Sequence, residues 1–255
     1  MYDENLRETK QRVLTNDGSY TLYSAEFDEP YHSDKDGALH EALQKHVLPA
    51  FALKGGEDEL TLLDICYGLG YNTLATLYYI KKEQLTTKVK IISPEFDKGL
   101  VESLRNFQYP KEFDSLREII DAISRDFCYE DEQISIEILL GDARQRLTQL
   151  QEQFDIVYQD AFSPAHNPLL WTREYFATIA SLTKEDSILT TYSTAAAVRM
   201  GLDENGFQLF FKRAVNMRDS MVASPSMLDG LEYIDMQLKK IRNPHAKSLR
   251  DEDYL

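Results

Sequence analysis

Cysteine is scarce in these 255 residues: there are two, and neither Cys66 nor Cys128 stands at a metal-ligand spacing from other ligating residues. A disulfide framework is therefore excluded and no metal is expected. Both thiols are expected to be reduced and structural, Cys66 inside a buried strand and Cys128 in a helix-rich stretch. Long apolar runs are also missing. No stretch reaches the roughly 18 apolar residues that span a bilayer, and the start, Met1 to Arg7, is charged with no apolar signal core, so a cytoplasmic protein is expected. Positive charge is in deficit, with 28 Lys and Arg against 43 Asp and Glu and a net charge of −15. That balance excludes a surface gripping polyanions on every side, since such affinity comes from cations meeting phosphates. The deficit is uneven, because residues 199–250 hold nine basic and six acidic side chains. Any polyanion contact is expected there, through Arg199, Lys212, Arg213, Arg218, Lys239, Lys240 and Arg242.

A third glycine is missing from the motif that organises the chain. Leu60-Thr61-Leu62-Leu63-Asp64-Ile65 is a short apolar run of the kind that forms a strand buried on both faces. It breaks at Gly68 and Gly70, after which Leu74, Leu77, Tyr78 and Ile80 return at helical spacing. In such a β-loop-α unit the loop lies at the carboxyl end of the strand, where glycines let a ligand approach the backbone and the helix offers free N–H groups. A dinucleotide fingerprint requires glycine at position 73, which is Thr73, so NAD and FAD are disfavoured. S-adenosylmethionine (SAM) suits the loop better, having no pyrophosphate to press against the helix. Two glycines that merely turn a strand into a helix are the alternative. The next strand, Lys88 to Glu95, ends in a carboxylate placed to accept both ribose hydroxyls of a nucleotide. A third, Ile134 to Leu140, ends at Gly141-Asp142, where Asp142 can accept from an adenine amine.

One domain is expected over residues 1–255, with strand and helix alternating from Leu60 onward into a mostly parallel sheet. Asp17-Gly18 between two alternating runs predicts a hairpin, so residues 1–37 read as a small β-element that can form a lip over the site. Leu39, Leu43 and Val47 predict a helix over Ala38 to Leu48, with Pro49 near its end. His40 and His46, which have no ligand spacing, are expected at its surface. Helices are expected between Gly99 and Asp131, and Leu147 and Leu150 continue the helix after Asp142. The fourth strand, Phe154 to Gln159, runs into Asp160 and a Pro-rich loop that carries Trp171, the only tryptophan. A fifth strand ends at Ser193, a helix follows over Val198 to Asn205, and the last two strands are expected to be antiparallel. Residues 228–255 read as a helical tail.

These residues resemble a family. Tyr67-Gly68-Leu69-Gly70-Tyr71-Asn72 is similar to its Phe-Gly-x-Gly-x-Asn loop. Asp160-Ala161-Phe162-Ser163-Pro164-Ala165-His166-Asn167-Pro168-Leu169-Leu170-Trp171 closely matches its Asp-Gly-Phe-x-Pro-x-x-Asn-Pro-x-x-Trp signature. The family is the methyltransferase half of the MnmC-type enzyme that modifies tRNA wobble uridine, and further matches at Tyr31-His32-Ser33, Asp36-Gly37, Glu95, Gly141-Asp142, Val198 to Leu202 and Gly206-Phe207 carry the likeness over most of residues 28–225. The resemblance implies a Rossmann-like class I SAM-dependent methyltransferase fold, α/β with helices on both faces of the sheet. It further implies methylation of the amine of 5-aminomethyl-(2-thio)uridine in tRNA.

On this resemblance Tyr31, Ser33, Tyr67, Gly68, Gly70, Asn72, Glu95 and Asp142 are expected to bind SAM. Phe162, Pro164, Asn167, Trp171 and Tyr192 are expected at the substrate, with Phe162, Trp171 and Tyr192 stacking on the flipped-out base. Asp160 is the catalytic candidate, holding the amine and helping to remove its proton. The family's basic stretch before the last strand is represented here by Asn216-Met217-Arg218-Asp219-Ser220, which has less positive charge. The FAD-dependent oxidase half has no counterpart, so a separate oxidase partner is implied. Two other readings of the same fold stay open: an aminopropyltransferase or small-molecule amine methyltransferase, and a catalytically silent RNA-binding protein.

Overall fold

The computed structural model describes residues 10–254, so the charged start Met1 to Arg7 lies outside the described residues. Strands β1 (Lys10–Leu14) and β2 (Tyr20–Ser24) pair antiparallel around the expected turn, and β3 (Glu29–Pro30) pairs with β2. Asp17 anchors this unit. Its carboxylate accepts from the Ser19 amide at 2.9 Å, the Thr15 and Ser19 hydroxyls at 2.8 and 2.6 Å, and the His40 amide at 2.9 Å. These bonds outweigh the effect of partial burial and hold the carboxyl below its ordinary value. Gly37 follows from the same contact, because a Cβ there would fall 2.2 Å from the Asp17 carboxyl carbon and the backbone has φ +89°. The hairpin is thereby tied to the helix that follows, and its exit strand delivers Tyr31 and His32 to the sheet edge.

That helix runs through α1 (Ala38–Glu41), a π-helical segment (Ala42–Val47) and α2 (Leu48–Lys54), passing Pro49 rather than ending near it. Proline has no N–H to donate and crowds the carbonyl four residues back, and the wider π turns ahead of it relieve both conflicts. They also shift the buried face. Lys45 and His46 are buried together with Ala42, Val47 and Ala50, which overturns the expectation that His46 lies at the surface; His40 is exposed as expected.

The main sheet takes β4 (Glu59–Ile65), β5 (Lys88–Glu95), β6 (Cys128–Glu130), β7 (Ile134–Leu140), β8 (Phe154–Gln159), β9 (Thr183–Thr191), β10 (Gln208–Lys212), β11 (Ser220–Ser224) and β12 (Glu232–Tyr233). Their order is β12-β10-β11-β9-β8-β4-β5-β7-β6, parallel from β9 to β7 and antiparallel at both flanks. Helices α3 (Tyr71–Lys82), α4 (Lys98–Ser103) and α5 (Arg117–Asp126) join the π-helical stretch over one apolar core, while α6 (Ala143–Leu147), α7 (Arg173–Leu182) and α8 (Ala196–Asp203) cover the other. The fold is therefore a doubly covered α/β sheet of the class expected. From β4 the chain moves to β5 on one side, and β8 later fills the other side. This makes the carboxyl edge of β4 and β8 the topological switch point where ligands bind in such folds.

Several local expectations need correction. Both cysteines are free; Cys66 lies just beyond β4 rather than within it, in a left-handed conformation, φ +66°, packed against the second core, and Cys128 is an exposed residue of the edge strand β6. Helix α6 stops at Leu147, short of Leu150. Among the described residues the tail carries β12, then the seven-residue helix α9 (Met236–Arg242), a bridge from Leu249 to Thr172 and a short 3₁₀ turn (Asp251–Asp253).

Candidate active site

A cavity of about 600 Å³ opens at the switch point, between the hairpin lip and the carboxyl ends of β4, β5, β7 and β8. Tyr31, Ser33, Tyr67, Gly68, Asn72, Glu95, Asp142, Asp160, Phe162, Pro164, Asn167 and Tyr192 all line it. The structure does not bring Gly70 or Trp171 to its wall. Gly70 adopts φ +73°, and a Cβ there would fall 2.6 Å from the Tyr67 hydroxyl, so packing accounts for this glycine. Trp171 is fully buried in the core, where its indole N–H donates to the Phe162 carbonyl at 2.8 Å and its ring meets Phe176 and Tyr192. It holds the loop in place and cannot stack on a base from that position. A lone Trp in a Pro-rich loop suggests contact, yet its N–H found a backbone partner inside.

On the β4 side the wall is set by backbone. Gly68 has φ +54°, and a Cβ would meet the Tyr31 ring at 3.2 Å. Its N–H donates to Glu95 Oε2 at 2.7 Å, while the Asp97 N–H donates to Oε1 at 2.7 Å. Burial pushes the Glu95 carboxyl up against the pull of these bonds. A carboxylate has about four lone-pair sites, so these bonds leave acceptor capacity for a ribose hydroxyl. Asp142 caps α6 by accepting from the Arg144 amide at 2.9 Å. Ser33 is engaged in its own turn, donating its amide to Glu41 Oε2 at 2.7 Å and accepting from the Asp36 amide at 3.0 Å. Burial, with carboxylates around it, raises the Cys66 thiol well above its ordinary range, so this cavity-lining sulfur stays protonated and is a poor nucleophile.

On the β8 side the wall is set by side chains. Asp160, 12% exposed, accepts from Asn72 Nδ2 at 2.8 Å on Oδ2, and His46 Nε2 lies 3.3 Å from Oδ1 without hydrogen-bond alignment. Burial would raise its pKa, but His46, His32 and the Asn72 bond outweigh it and hold the carboxyl below the ordinary value. Asp160 is thus an anion at neutral pH. Beneath it Asp64 is pushed up to about 7 by burial, against its 2.7 Å bond from Thr73 and with the Asp160 charge adding to the rise. Thr73, the residue that stands where a dinucleotide site has glycine, therefore serves Asp64. Phe162 stacks on Phe27 at 4.4 Å and meets Tyr31 edge-on at 4.8 Å, while Tyr192 donates to the Ala161 carbonyl at 2.9 Å.

Four residues around Asp160 and Phe162 were not expected at the site: His32, His46 and Asp64 near Asp160, and Phe27 on Phe162. For His46 a signal was present, since it falls three residues after Leu43 and four before Ala50 on a helix. The cavity as a whole is acidic. Glu29, Glu95, Asp97, Asp142 and Asp160 face it, and its Lys45 is neutralised by Glu41 at 2.6 Å and Asp36 at 3.1 Å. Such a wall favours cations, and SAM, with its sulfonium and ribose diol, fits the Gly68, Glu95 and Asp142 side of it.

Known proteins place this geometry. The profile of a family described as S-adenosyl-L-methionine-dependent methyltransferase matches residues 112–226. The uncharacterized protein MJ0670 of Methanocaldococcus jannaschii is 30% identical over 84% of this chain and 59% of its own length. The tRNA 5-methylaminomethyl-2-thiouridine biosynthesis bifunctional protein MnmC of Ralstonia nicotianae is 31% identical over 74% of this chain, which spans only 30% of that protein's length. The crystal structure of MnmC2 from Aquifex aeolicus superposes with a TM-score of 0.85 and 31% identity, covering 98% of this chain and 81% of that one. With the glycine loop, the strand-end carboxylates and the Asp160 loop in the same fold as that relative, the chain belongs to the MnmC-type family of S-adenosyl-L-methionine-dependent methyltransferases.

Proposed function

We propose that this protein methylates the amine of 5-aminomethyl-(2-thio)uridine at the wobble position of tRNA, giving the 5-methylaminomethyl product. The observation that carries the reading is the anionic Asp160, held by Asn72 with His46 behind it at the edge of the glycine loop. Bound SAM would supply an electrophilic methyl group on a sulfonium. The protein's own tasks are then alignment of an amine and management of its proton. Glu95 and Asp142 hold the nucleoside. Asp160 attracts the aminomethyl group as an ammonium and orients it by hydrogen bond once neutral. Phe27, Phe162 and Tyr31 offer a ring surface for the flipped base, with Pro164 and Asn167 beside it.

The tRNA reaches this mouth in the cytoplasm from the side of the C-terminal third, where Arg218 lines the cavity. A separate FAD-dependent oxidase acts upstream to provide the free aminomethyl group. The acidic cavity would also suit a polyamine, so the assay offers both acceptors. Labelled methyl from SAM should enter bulk tRNA that carries 5-aminomethyl-uridine, and should not enter spermidine. Labelling of spermidine alone would overturn the reading in favour of a small-molecule amine transferase, and labelling of neither would favour a silent RNA-binding protein.

A further inference from the structure

The depressed pKa of Asp160 suits it to hold an ammonium and makes it a poor final acceptor of that ammonium's proton. A ring nitrogen stands directly behind it. His46 is completely buried, its Nδ1 lies 2.9 Å from Thr190 Oγ1, and its Nε2 has no hydrogen-bond partner while sitting 3.3 Å from Asp160 Oδ1. A buried ring nitrogen without a partner is uncommon and calls for an explanation. Three separate elements fix it there: the π-helical segment carries the ring, β9 supplies Thr190, and the Tyr158 ring of β8 packs edge-on at 5.5 Å. π turns of this kind recur at functional sites.

We propose that His46 is the terminal proton acceptor of the reaction and acts through Asp160, as a positioning residue that never touches the substrate. The proposal rests on the amine-methylation reading above. If Nδ1 carries the proton and donates to Thr190 Oγ1, Nε2 carries the free lone pair. The acceptor's ammonium releases one proton to the Asp160 carboxylate, Asp160 passes one proton to His46 Nε2, and the net change is a neutral amine, an unchanged Asp160 anion and an imidazolium. The nitrogen keeps the electron pair of the broken N–H bond and can then attack. After the product leaves, the proton returns through Asp160 to solvent, since the ring itself has no exposure. The charged or titratable groups that face the ring from the packed elements are Asp160 beyond β8, Asp64 of β4, His32 behind the hairpin, and Tyr158.

Two measurements test this. Nitrogen NMR of the His46 ring in the ligand-free protein should show Nδ1–H with bare Nε2. A proton on Nε2 would overturn the proposal, whatever the substrate proves to be. In the methylation assay His46→Gln should lower kcat about 10²-fold at neutral pH with SAM affinity by calorimetry unchanged, and the loss should shrink as pH rises and the amine becomes neutral unaided. A loss of equal size at every pH, or none, would reduce His46 to packing and overturn the proposal. Absence of tRNA methylation by the wild type would sink the substrate reading instead, leaving the NMR measurement to judge His46.

Discussion

Two loops meet at the edge between β4 and β8, and they are held by different means. In the loop after β4, left-handed backbone at Cys66, Gly68 and Gly70 bends the chain, and main-chain N–H groups from Gly68 and Asp97 clamp Glu95. In the loop after β8, side chains do the holding. The carbonyls of Ala161, Phe162 and Leu170 accept from Tyr192, Trp171 and Gln159, the Ser163 amide donates to Glu29, and Asp160 itself is gripped by Asn72 with His46 behind. On the proposed function, the difference teaches that cofactor binding and chemistry are built separately: a short stretch of backbone makes a generic nucleoside seat, and long-range side-chain contacts make the particular acceptor site.

The comparison breaks most visibly at Asp160. Asp160→Asn keeps the shape and one acceptor oxygen but removes the charge, so methyl transfer should fall by about 10²–10⁴-fold while SAM affinity changes little. Because Asn72 and His46 both lean on this carboxylate, the variant must first be shown by calorimetry to bind SAM. Methylation within a few-fold of wild type would then demote Asp160 to a loop anchor, and the two sides would no longer differ in kind.

Asp64 lies beneath both loops and sharpens the comparison through pH. Its folded pKa, raised from the ordinary 3.8 to about 7, means that between those values the folded state binds a proton which the unfolded chain has already lost. Stability must therefore fall as pH rises through that window, by roughly 4 kcal/mol at about 1.4 kcal/mol per unit. Asp64→Asn has no such proton to lose. Urea unfolding from pH 4 to 7 should show wild type losing ground to the variant; parallel stability curves would mean that Asp64 is ionised throughout.

Glu95 tests the backbone side. Glu95→Gln loses a charge-assisted contact with the ribose hydroxyls, and one of the two clamping N–H groups would face the new amide NH₂ instead of an oxygen. SAM affinity should fall by about 1.5–3 kcal/mol, while kcat at saturating SAM stays near wild type. An unchanged dissociation constant by calorimetry would remove Glu95 from the seat.

How much of this was legible in the sequence follows the same division. Gly68, Glu95 and Asp142 announce themselves because each lies at or just beyond the end of a strand, and strand ends show in local patterning. The switch-point edge was readable for that reason. The Asp160 surroundings were not, because Asn72 lies 88 residues away in the chain and the Thr190 partner of His46 lies 144 residues from it. The helical spacing of His46 from Leu43 and Ala50 marks a buried face, but nothing local names the Thr190 and Asp160 that it meets there. Trp171 and Gly70 misled in the opposite sense. Both carry a residue type that signals ligand contact, and both are used for packing, Trp171 through its indole N–H and Gly70 to admit the Tyr67 hydroxyl.

The last and smallest effect concerns which side of the edge meets RNA. If the backbone side seats only the nucleoside cofactor, phosphate contacts belong beyond the β8 side, near the loop from Arg213 to Ser220 that contributes Arg218 and Asp219 to the cavity mouth. The cations there are unequal. Arg213 is spent on Asp219 at 2.6 Å and Glu232 at 2.5 Å, so the sequence-based grouping of Arg213 with Lys212 and Arg199 needs revision. Lys212 stands in an adjoining cleft with His40 and Lys45, and Arg218 faces the mouth; neither is engaged in an ion pair among the described residues. Replacing Lys212 and Arg218 by Gln should lower the slope of log affinity against log salt for tRNA by about 0.7 per lost contact to a single strand. Arg213→Gln should move it less, and Lys98→Gln, on α4 beyond Glu95, not at all. Equal slopes for all of these variants would place the RNA on another face, and the division of labour between the two loops would then stop at the cofactor.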